Sequence, residues 1–296
     1  MKILLTGGTG FLGSALALHF LKAGNEVALL LRPSSKLDRL QGLEKEFDFR
    51  RCATDSDIDT FVQQVRPEVV IHTACLYGRR GETALELADA NTRLGLLIMQ
   101  GLLTAGCPAT FINTGTALAP EVNSYALSKH QLSQWGRVLA SEPKNQIRFI
   151  NILLQHMYGP GDDVSKFTTF VLRACQGNQP ELKLTSSKQR RDFIYIDDVI
   201  SAFSTLVMRR LDLEQVLDVE VGSGDAVAVR EFVETLHRIT GSKTKFLFGA
   251  IPDRENEPML CQADLTYMNN LGWEPMSSLE DGLSQTLKLE FHKEVP

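Results

Sequence analysis

The chain has 296 residues, 43% of them hydrophobic and 23% charged, with a formal net charge of -5. That composition excludes a disordered or fibrous protein, and the acidic balance excludes a general nucleic-acid binder, which needs an excess of Lys and Arg to displace counterions. A chain this long buries about 75% of its unfolded surface, so it needs neither metal nor disulfide for stability.

Short apolar runs alternate with helical patterns along the first half. Strands are expected at Lys2 to Leu5, Glu26 to Leu31, Phe47 to Arg51, Val69 to His72, Thr110 to Asn113 and Ile147 to Leu154. Between them, apolar residues at three- and four-residue spacing predict helices over Leu12 to Ala23, Ile58 to Val65, Leu85 to Ala105 and Tyr125 to Ser141. This alternation is the pattern of an α/β protein with a doubly wound parallel sheet of Rossmann type. Beyond Pro160 the rhythm changes, with Pro180, Pro252, Pro258 and Pro275 and charged loops interrupting it. A smaller α/β C-terminal domain is expected there. The run Asp192 to Ile196 and the helical stretch Asp197 to Leu206 resemble the first half again. The expected division is therefore 1–157 for the first domain, with a return around 191–221, and 158–190 with 222–296 for the second.

The run from Met1 to Thr6 is too short and too soon followed by glycines for a signal peptide. No stretch holds about twenty successive apolar residues, so a cytoplasmic protein without membrane contact is expected. The five cysteines form no Cys-x-x-Cys pair and are expected to be reduced. The six histidines make no ligand-spaced cluster, so no metal is expected.

Thr6-Gly7-Gly8-Thr9-Gly10-Phe11-Leu12-Gly13 leaves a strand and opens a helix. Gly7 permits the tight turn, Gly10 lets backbone N–H groups approach a diphosphate, and Gly13 allows close packing of helix on strand. The helix N-terminus then faces the phosphates of a dinucleotide. An NAD site places a carboxylate at the end of the second strand, but here the strand ends Leu31-Arg32-Pro33-Ser34-Ser35. Arg32 suits a 2′-phosphate, which makes NADP(H) the preferred coenzyme and NAD(H) the alternative.

Tyr125 and Lys129 lie one helical turn apart and project from one face. An ammonium beside a phenol stabilises the phenolate and draws a poor acid–base group toward the working range. The strand Phe111-Ile112-Asn113 runs into Thr114-Gly115-Thr116, a hydroxyl placed where this architecture binds ligands.

With these features the chain resembles an extended short-chain dehydrogenase/reductase of the NAD-dependent epimerase/dehydratase family over nearly its whole length. Val70-Ile71-His72-Thr73-Ala74, Asn91 with Gly95, Tyr158-Gly159-Pro160 and Arg191 to Ile196 fit the same resemblance. It implies Thr116, Tyr125 and Lys129 as catalytic residues. The expected coenzyme contacts are Gly7, Thr9, Gly10, Phe11, Leu12, Gly13, Arg32, Asp55, Thr73, Ala74, Asn91, Tyr125 and Lys129. Expected substrate contacts are Thr116, His156, Arg191 and Arg254, the two arginines on a nucleotide diphosphate. Dehydratases of the family carry an Asp-Glu pair after the catalytic hydroxyl, where this chain has Ala117 and Leu118. The stretches around Thr116 and Gln155 to Asp163 look most like the branch that reduces C4 of CDP- or dTDP-linked 4-keto-6-deoxyhexoses. His156 and Leu153 depart from the family's usual asparagine and arginine. The resemblance implies a homodimer with a nucleotide-sugar substrate. The rival readings are a C4 epimerase with tightly bound NAD and an NADP-sensing binding protein, against which the Tyr125 and Lys129 pair speaks.

Overall fold

The computed structural model describes residues 1–40, 42–254 and 257–291. The strands are β1 (Lys2–Thr6), β2 (Glu26–Leu31), β3 (Asp48–Arg51), β4 (Val69–His72), β5 (Ala109–Thr114), β6 (Ile147–Leu154), β7 (His156–Tyr158), β8 (Glu181–Leu184), β9 (Arg190–Tyr195), β10 (Val216–Val221), β11 (Ala226–Ala228), β12 (Lys245–Phe248) and β13 (Leu260–Cys261). The α-helices are α1 (Phe11–Lys22), α2 (Asp55–Val65), α3 (Ala84–Ala88), α4 (Leu94–Thr104), α5 (Ser124–Ser141), α6 (Phe167–Gln176), α7 (Ile196–Arg209), α8 (Val229–Thr240), α9 (Thr266–Asn270) and α10 (Leu279–Phe291). Two compact units result: Met1–Leu153 with Phe203–Val219, and Leu154–Ala202 with Glu220–Pro296. The segment that rejoins the first unit is Phe203–Val219.

The first unit is a seven-stranded sheet in the order β10-β6-β5-β4-β1-β2-β3. From β3 across to β6 every neighbouring pair is parallel. Ile3, Leu4 and Leu5 of β1 and Val69, Val70 and Ile71 of β4 are fully buried, because helices cover both faces and leave no solvent side for polar alternation. On one face Leu4, Leu30, Val70, Phe111 and Phe149 pack with Ile98, Met99, Leu102 and Leu132 in a single core. Each such side chain contributes about 1.5–3 kcal/mol when fully buried. The order of winding reverses between β1 and β4, the switch point at whose carboxyl ends this architecture binds ligands.

Local signals explain the helix limits. The Thr54 side chain accepts from Asp57 N–H while the Asp57 carboxylate accepts from Thr54 N–H, a reciprocal cap that starts α2. Arg66 ends that helix in the left-handed region, and Pro67 follows. The single helix expected over Leu85 to Ala105 is instead α3, a π-helical turn over Asp89–Arg93, and α4. Wide turns of this kind recur at functional sites. Here the turn aims Asn91 and Thr92 at α5: Asn91 Nδ2 donates to Ser128 Oγ at 2.9 Å and Thr92 Oγ1 to the Ser128 carbonyl at 2.8 Å.

The second unit is built around β9, which pairs in parallel with β7 and β13 and antiparallel with β11. β8 and β12 form a separate parallel pair. Phe193 of β9 stacks on Phe232 of α8 with ring centroids 4.3 Å apart, and Tyr158 meets Phe232 edge-on at 6.2 Å.

Candidate active site

β1 delivers Thr6 to the switch point, and Gly7 turns the chain there with φ +71°, a value L-residues rarely adopt. Gly10 N–H closes the turn on the Gly7 carbonyl at 2.8 Å. Gly10 is also the N-cap of α1 and supplies no side-chain cap to the helix. A Cβ at Gly7 would lie 2.7 Å from Ala74 N, inside the cradle. A glycine backbone and the positive end of a helix dipole fit a dinucleotide's diphosphate. Thr9 and Phe11 flank the turn half-buried, and Leu12 and Gly13 are buried beneath it.

At the end of β2, Arg32 is exposed and its N–H donates to Ser35 Oγ at 3.1 Å. The loop is clasped by a residue that the sequence reading missed. Arg51 Nη1 donates to the carbonyls of Arg32, Pro33 and Ser35 at 3.3, 2.9 and 2.7 Å. Its signal in the sequence was only a basic last residue on β3, and pairing it with Leu31 requires the sheet register. Asp55 opens α2 and forms an ion pair with Arg93.

The β4 end is tied to the β1 end. Thr73 Oγ1 donates to the Thr6 carbonyl at 2.8 Å, and Ala74 N–H to Thr6 Oγ1 at 3.3 Å. Asn91 holds the continuing loop, accepting from Leu76 N–H at 2.7 Å and donating to the Leu76 carbonyl at 2.9 Å. These bonds engage its amide with the loop and α5.

The Asn123 side chain caps α5 by accepting from Ala126 N–H at 2.9 Å, which sets Tyr125 in the first turn and Lys129 one turn on. Thr116 is 7% exposed, accepts from Leu118 N–H at 3.2 Å, and neighbours the Tyr125 phenol. His130 Nε2 donates to the Leu118 carbonyl at 2.8 Å, fixing the Thr116 loop to the helix that carries Tyr125. Thr116, two residues beyond the carboxyl end of β5, is thus held to α5, which carries Tyr125 and Lys129 one turn apart.

Burial pushes the Tyr125 phenol up, with Cys75 adding to the rise, while the Thr116 side chain and the Arg79 guanidinium pull it down. Burial likewise pushes the Lys129 ammonium down, and Cys75 opposes it. The net direction for Tyr125 is opposite to that expected from a neighbouring cation alone, because desolvation outweighs it. The phenol is therefore protonated at neutral pH, the form that serves as a general acid.

Arg79 lies 5.1 Å above the Tyr77 ring, and the Tyr77 and Tyr125 rings are 5.2 Å apart. Removing this cation by Arg79→Met should raise the Tyr125 pKa further and leave the phenol protonated over the whole accessible range. For a reduction that requires the phenol, kcat/KM should then show no alkaline limb below about pH 9 in either the parent or Arg79→Met. Profiles of kcat/KM against pH check this, and a limb that moves to lower pH in Arg79→Met would refute it.

In the second unit His156 is exposed, with its ring 6.0 Å from Phe193. Arg191 is 5% exposed; its Nη2 pairs with Glu257 Oε1 at 2.8 Å and its Nη1 donates to the Pro258 carbonyl at 2.7 Å. Arg254 is exposed. Asp192, also missed by sequence reasoning, is fully buried and knots three segments. Its Oδ1 accepts from Ser223 N–H at 2.6 Å and Ser223 Oγ at 2.7 Å, and its Oδ2 from Gly224 N–H at 3.0 Å and Ala263 N–H at 3.1 Å.

A glycine turn at the switch point of a doubly wound sheet, together with Thr116, Tyr125 and Lys129 beyond β5, is the arrangement of an NAD(P)-dependent oxidoreductase. The chain belongs to the NAD-dependent epimerase/dehydratase family, whose model matches residues 3–222. It is 28% identical to CDP-abequose synthase of Salmonella typhimurium, with 97% of each chain covered. It is 24% identical to dTDP-4-dehydro-6-deoxyglucose reductase of Escherichia coli, covering 97% of this chain and 96% of that one. Among solved structures, UDP-glucose 4-epimerase of Thermotoga maritima with UDP-glucose superposes with a TM-score of 0.85 at 22% identity, over 98% of each chain. Among the described residues, no helix is long and apolar enough to cross a membrane.

Proposed function

We propose that the chain reduces the C4 keto group of a nucleotide-linked 4-keto-6-deoxyhexose, with NADPH as reductant. The observation that carries this reading is Tyr125 in the first turn of α5, its phenol favoured in the protonated form by burial and influenced by the neighbouring Thr116 side chain, with Ala117 and Leu118 where a dehydrating enzyme needs an acid–base pair. Thr116 orients the substrate carbonyl by hydrogen bonding, and Tyr125 gives its proton to the carbonyl oxygen as charge develops there. Lys129 offsets the phenolate left behind. When bound, the coenzyme supplies the hydride; Gly7, Gly10 and the first turn of α1 would hold its diphosphate. Arg32, beside the Arg51-clasped loop, supports a 2′-phosphate over a bare ribose hydroxyl. The similarity to CDP-abequose synthase and to dTDP-4-dehydro-6-deoxyglucose reductase favours a 4-keto sugar attached to CDP or dTDP. His156, Arg191 and Arg254 are the residues of the second unit proposed for its recognition. For Arg191 that role requires exchanging Glu257 for phosphate.

The similarity to UDP-glucose 4-epimerase of Streptomyces lividans, at 25% identity, supports the competing epimerase reading. Incubation with NADPH or NADH and CDP- or dTDP-linked 4-keto-6-deoxyhexoses, followed at the nicotinamide absorbance, distinguishes the two. The expected result is stoichiometric oxidation, faster with NADPH. If no reduced coenzyme is consumed, while UDP-hexose C4 epimers interconvert without added coenzyme, the reductase reading fails.

A further inference from the structure

Across the first sheet, polar side chains stand in one row. In register, Thr6 of β1 pairs with His72 of β4, His72 with Asn113 of β5, and Asn113 with Asn151 of β6. Residues in register on parallel neighbours project to the same face. Thr6, His72 and Asn113 are 0% exposed and Asn151 is 2% exposed. The row ends at Asp218 of β10, which forms an ion pair with Arg137 of α5.

Charge fixes the direction of hydrogen bonding at that end. A carboxylate only accepts, so Asn151 must present Nδ2 to Asp218 Oδ1, at 2.8 Å. Asn151 Oδ1 is then the acceptor for Asn113 Nδ2, also at 2.8 Å. This leaves Asn113 Oδ1 buried without a donor.

At the other end, Thr6 Oγ1 accepts from Ala74 N–H and lies 2.9 Å from His72 Nδ1, while His72 Nε2 is buried without a partner. The hydroxyl has one proton to give. With the imidazole proton on Nδ1, three groups go unsatisfied: the Thr6 hydroxyl proton, the Nε2 lone pair and Asn113 Oδ1. With the proton on Nε2, Thr6 donates to Nδ1, and the remaining N–H belongs to the register neighbour of the residue whose oxygen lacks a donor.

We infer that His72 is held as its Nε2–H tautomer and links a one-way chain of donors running from Ala74 N–H through Thr6, His72, Asn113 and Asn151 to Asp218. Because neither His72 Nε2 nor Asn113 Oδ1 has a protein partner, the step from His72 to Asn113 is completed across one buried water. His72 is thereby a positioning residue. By taking the Thr6 proton it turns the hydroxyl's lone pair to Ala74 N–H and fixes the β4 loop against the glycine turn. Charge on the ring is opposed from two sides, because burial and then the nearby Lys129 ammonium push the His72 imidazole down to about 3.

Long-range nitrogen–proton NMR of the 15N-labelled full chain reads the tautomer. The His72 signal is identified by its loss in His72→Asn. The expected spectrum shows Nε2 protonated and Nδ1 bare, unchanged between about pH 5 and pH 8. A parent protein with Nδ1 protonated, or with both nitrogens protonated, would overturn the inference. Asp218→Ala removes the fixed acceptor at the far, half-exposed end and should bring in the Nδ1–H form; an unchanged signature would defeat the control assigned to Asp218. His72→Asn keeps one acceptor and one donor and should hold NADPH within about threefold of the parent, while His72→Leu should weaken it about tenfold. Equal losses in the two variants would contradict the positioning role. Should His72→Leu not fold, the parent and Asp218→Ala spectra still decide. None of these readings needs a sugar substrate, so they stand or fall apart from the proposed reduction.

Discussion

Replacing Tyr125 by Phe is expected to cut kcat for carbonyl reduction between about 100-fold and 10,000-fold, the usual worth of a positioned general acid. The substitution removes one oxygen and leaves the ring, so the 5.2 Å packing of Tyr77 against it persists. The α5 cap from Asn123 and the Thr116 loop tie through His130 do not involve the phenol oxygen. Stability and coenzyme affinity should therefore stay close to the parent, with NADPH Kd changed by less than about threefold, since the diphosphate cradle is untouched. Steady-state NADPH oxidation and coenzyme titration of the same preparation separate the two quantities. A kcat within about tenfold of the parent would mean that another group delivers the proton. Tyr125 would then lose its place in the reaction, whatever the substrate.

That prediction depends on a feature the sequence announces only in part. Tyr125 and Lys129 are legible because helical spacing alone puts them on one face. The glycine turn is legible because strand, glycines and helix follow one another without interruption. β2, β4 and β6 span the residues expected of them, since continuous apolar runs of strand length have no other use in a doubly wound sheet. What stayed hidden is what depends on residues brought together from afar. Arg51 reads as an ordinary surface residue until β3 lies beside β2. Arg191 reads as a free cation until Glu257, 66 positions on, arrives at its guanidinium. Asp192 looks like one more acid until three N–H groups and a hydroxyl converge on it. The direction of the Tyr125 shift fails for the same reason: the spacing shows Lys129, but the desolvation that raises the phenol, and the Arg79 guanidinium that opposes it, appear only once the chain is folded. The π-helical turn at Asp89–Arg93 is a different case. It inserts a single residue into an otherwise continuous apolar helix, which an average over several turns cannot register.

Gly13→Ala should both destabilise the protein and abolish useful coenzyme binding. Judged by helix propensity alone the change is favourable, because alanine in a helix is worth about 0.5–1 kcal/mol over glycine. The surroundings reverse the sign. A Cβ at Gly13 would lie 2.1 Å from the Gly7 carbonyl oxygen, 2.6 Å from its carbon and 2.7 Å from Thr73 Oγ1. Two of those atoms are backbone and cannot rotate aside, so the turn or the helix must move, and overpacking of this kind costs about 1–3 kcal/mol. The Gly7 carbonyl also accepts the 2.8 Å bond from Gly10 N–H, so displacing it deforms the loop proposed to hold the diphosphate. Loss of one or two charge-assisted hydrogen bonds there corresponds to an NADPH Kd raised by about 100-fold. Gly10→Ala provides the contrast. Its Cβ would meet the same oxygen at 3.2 Å, a contact that a few tenths of an ångström relieve, so it should weaken the coenzyme while leaving thermal stability near the parent. Thermal melts with and without NADPH, run on both variants, read the two effects separately. If Gly13→Ala melted with the parent and still gained stability from NADPH, close packing of α1 on the turn would not be what holds the cradle open.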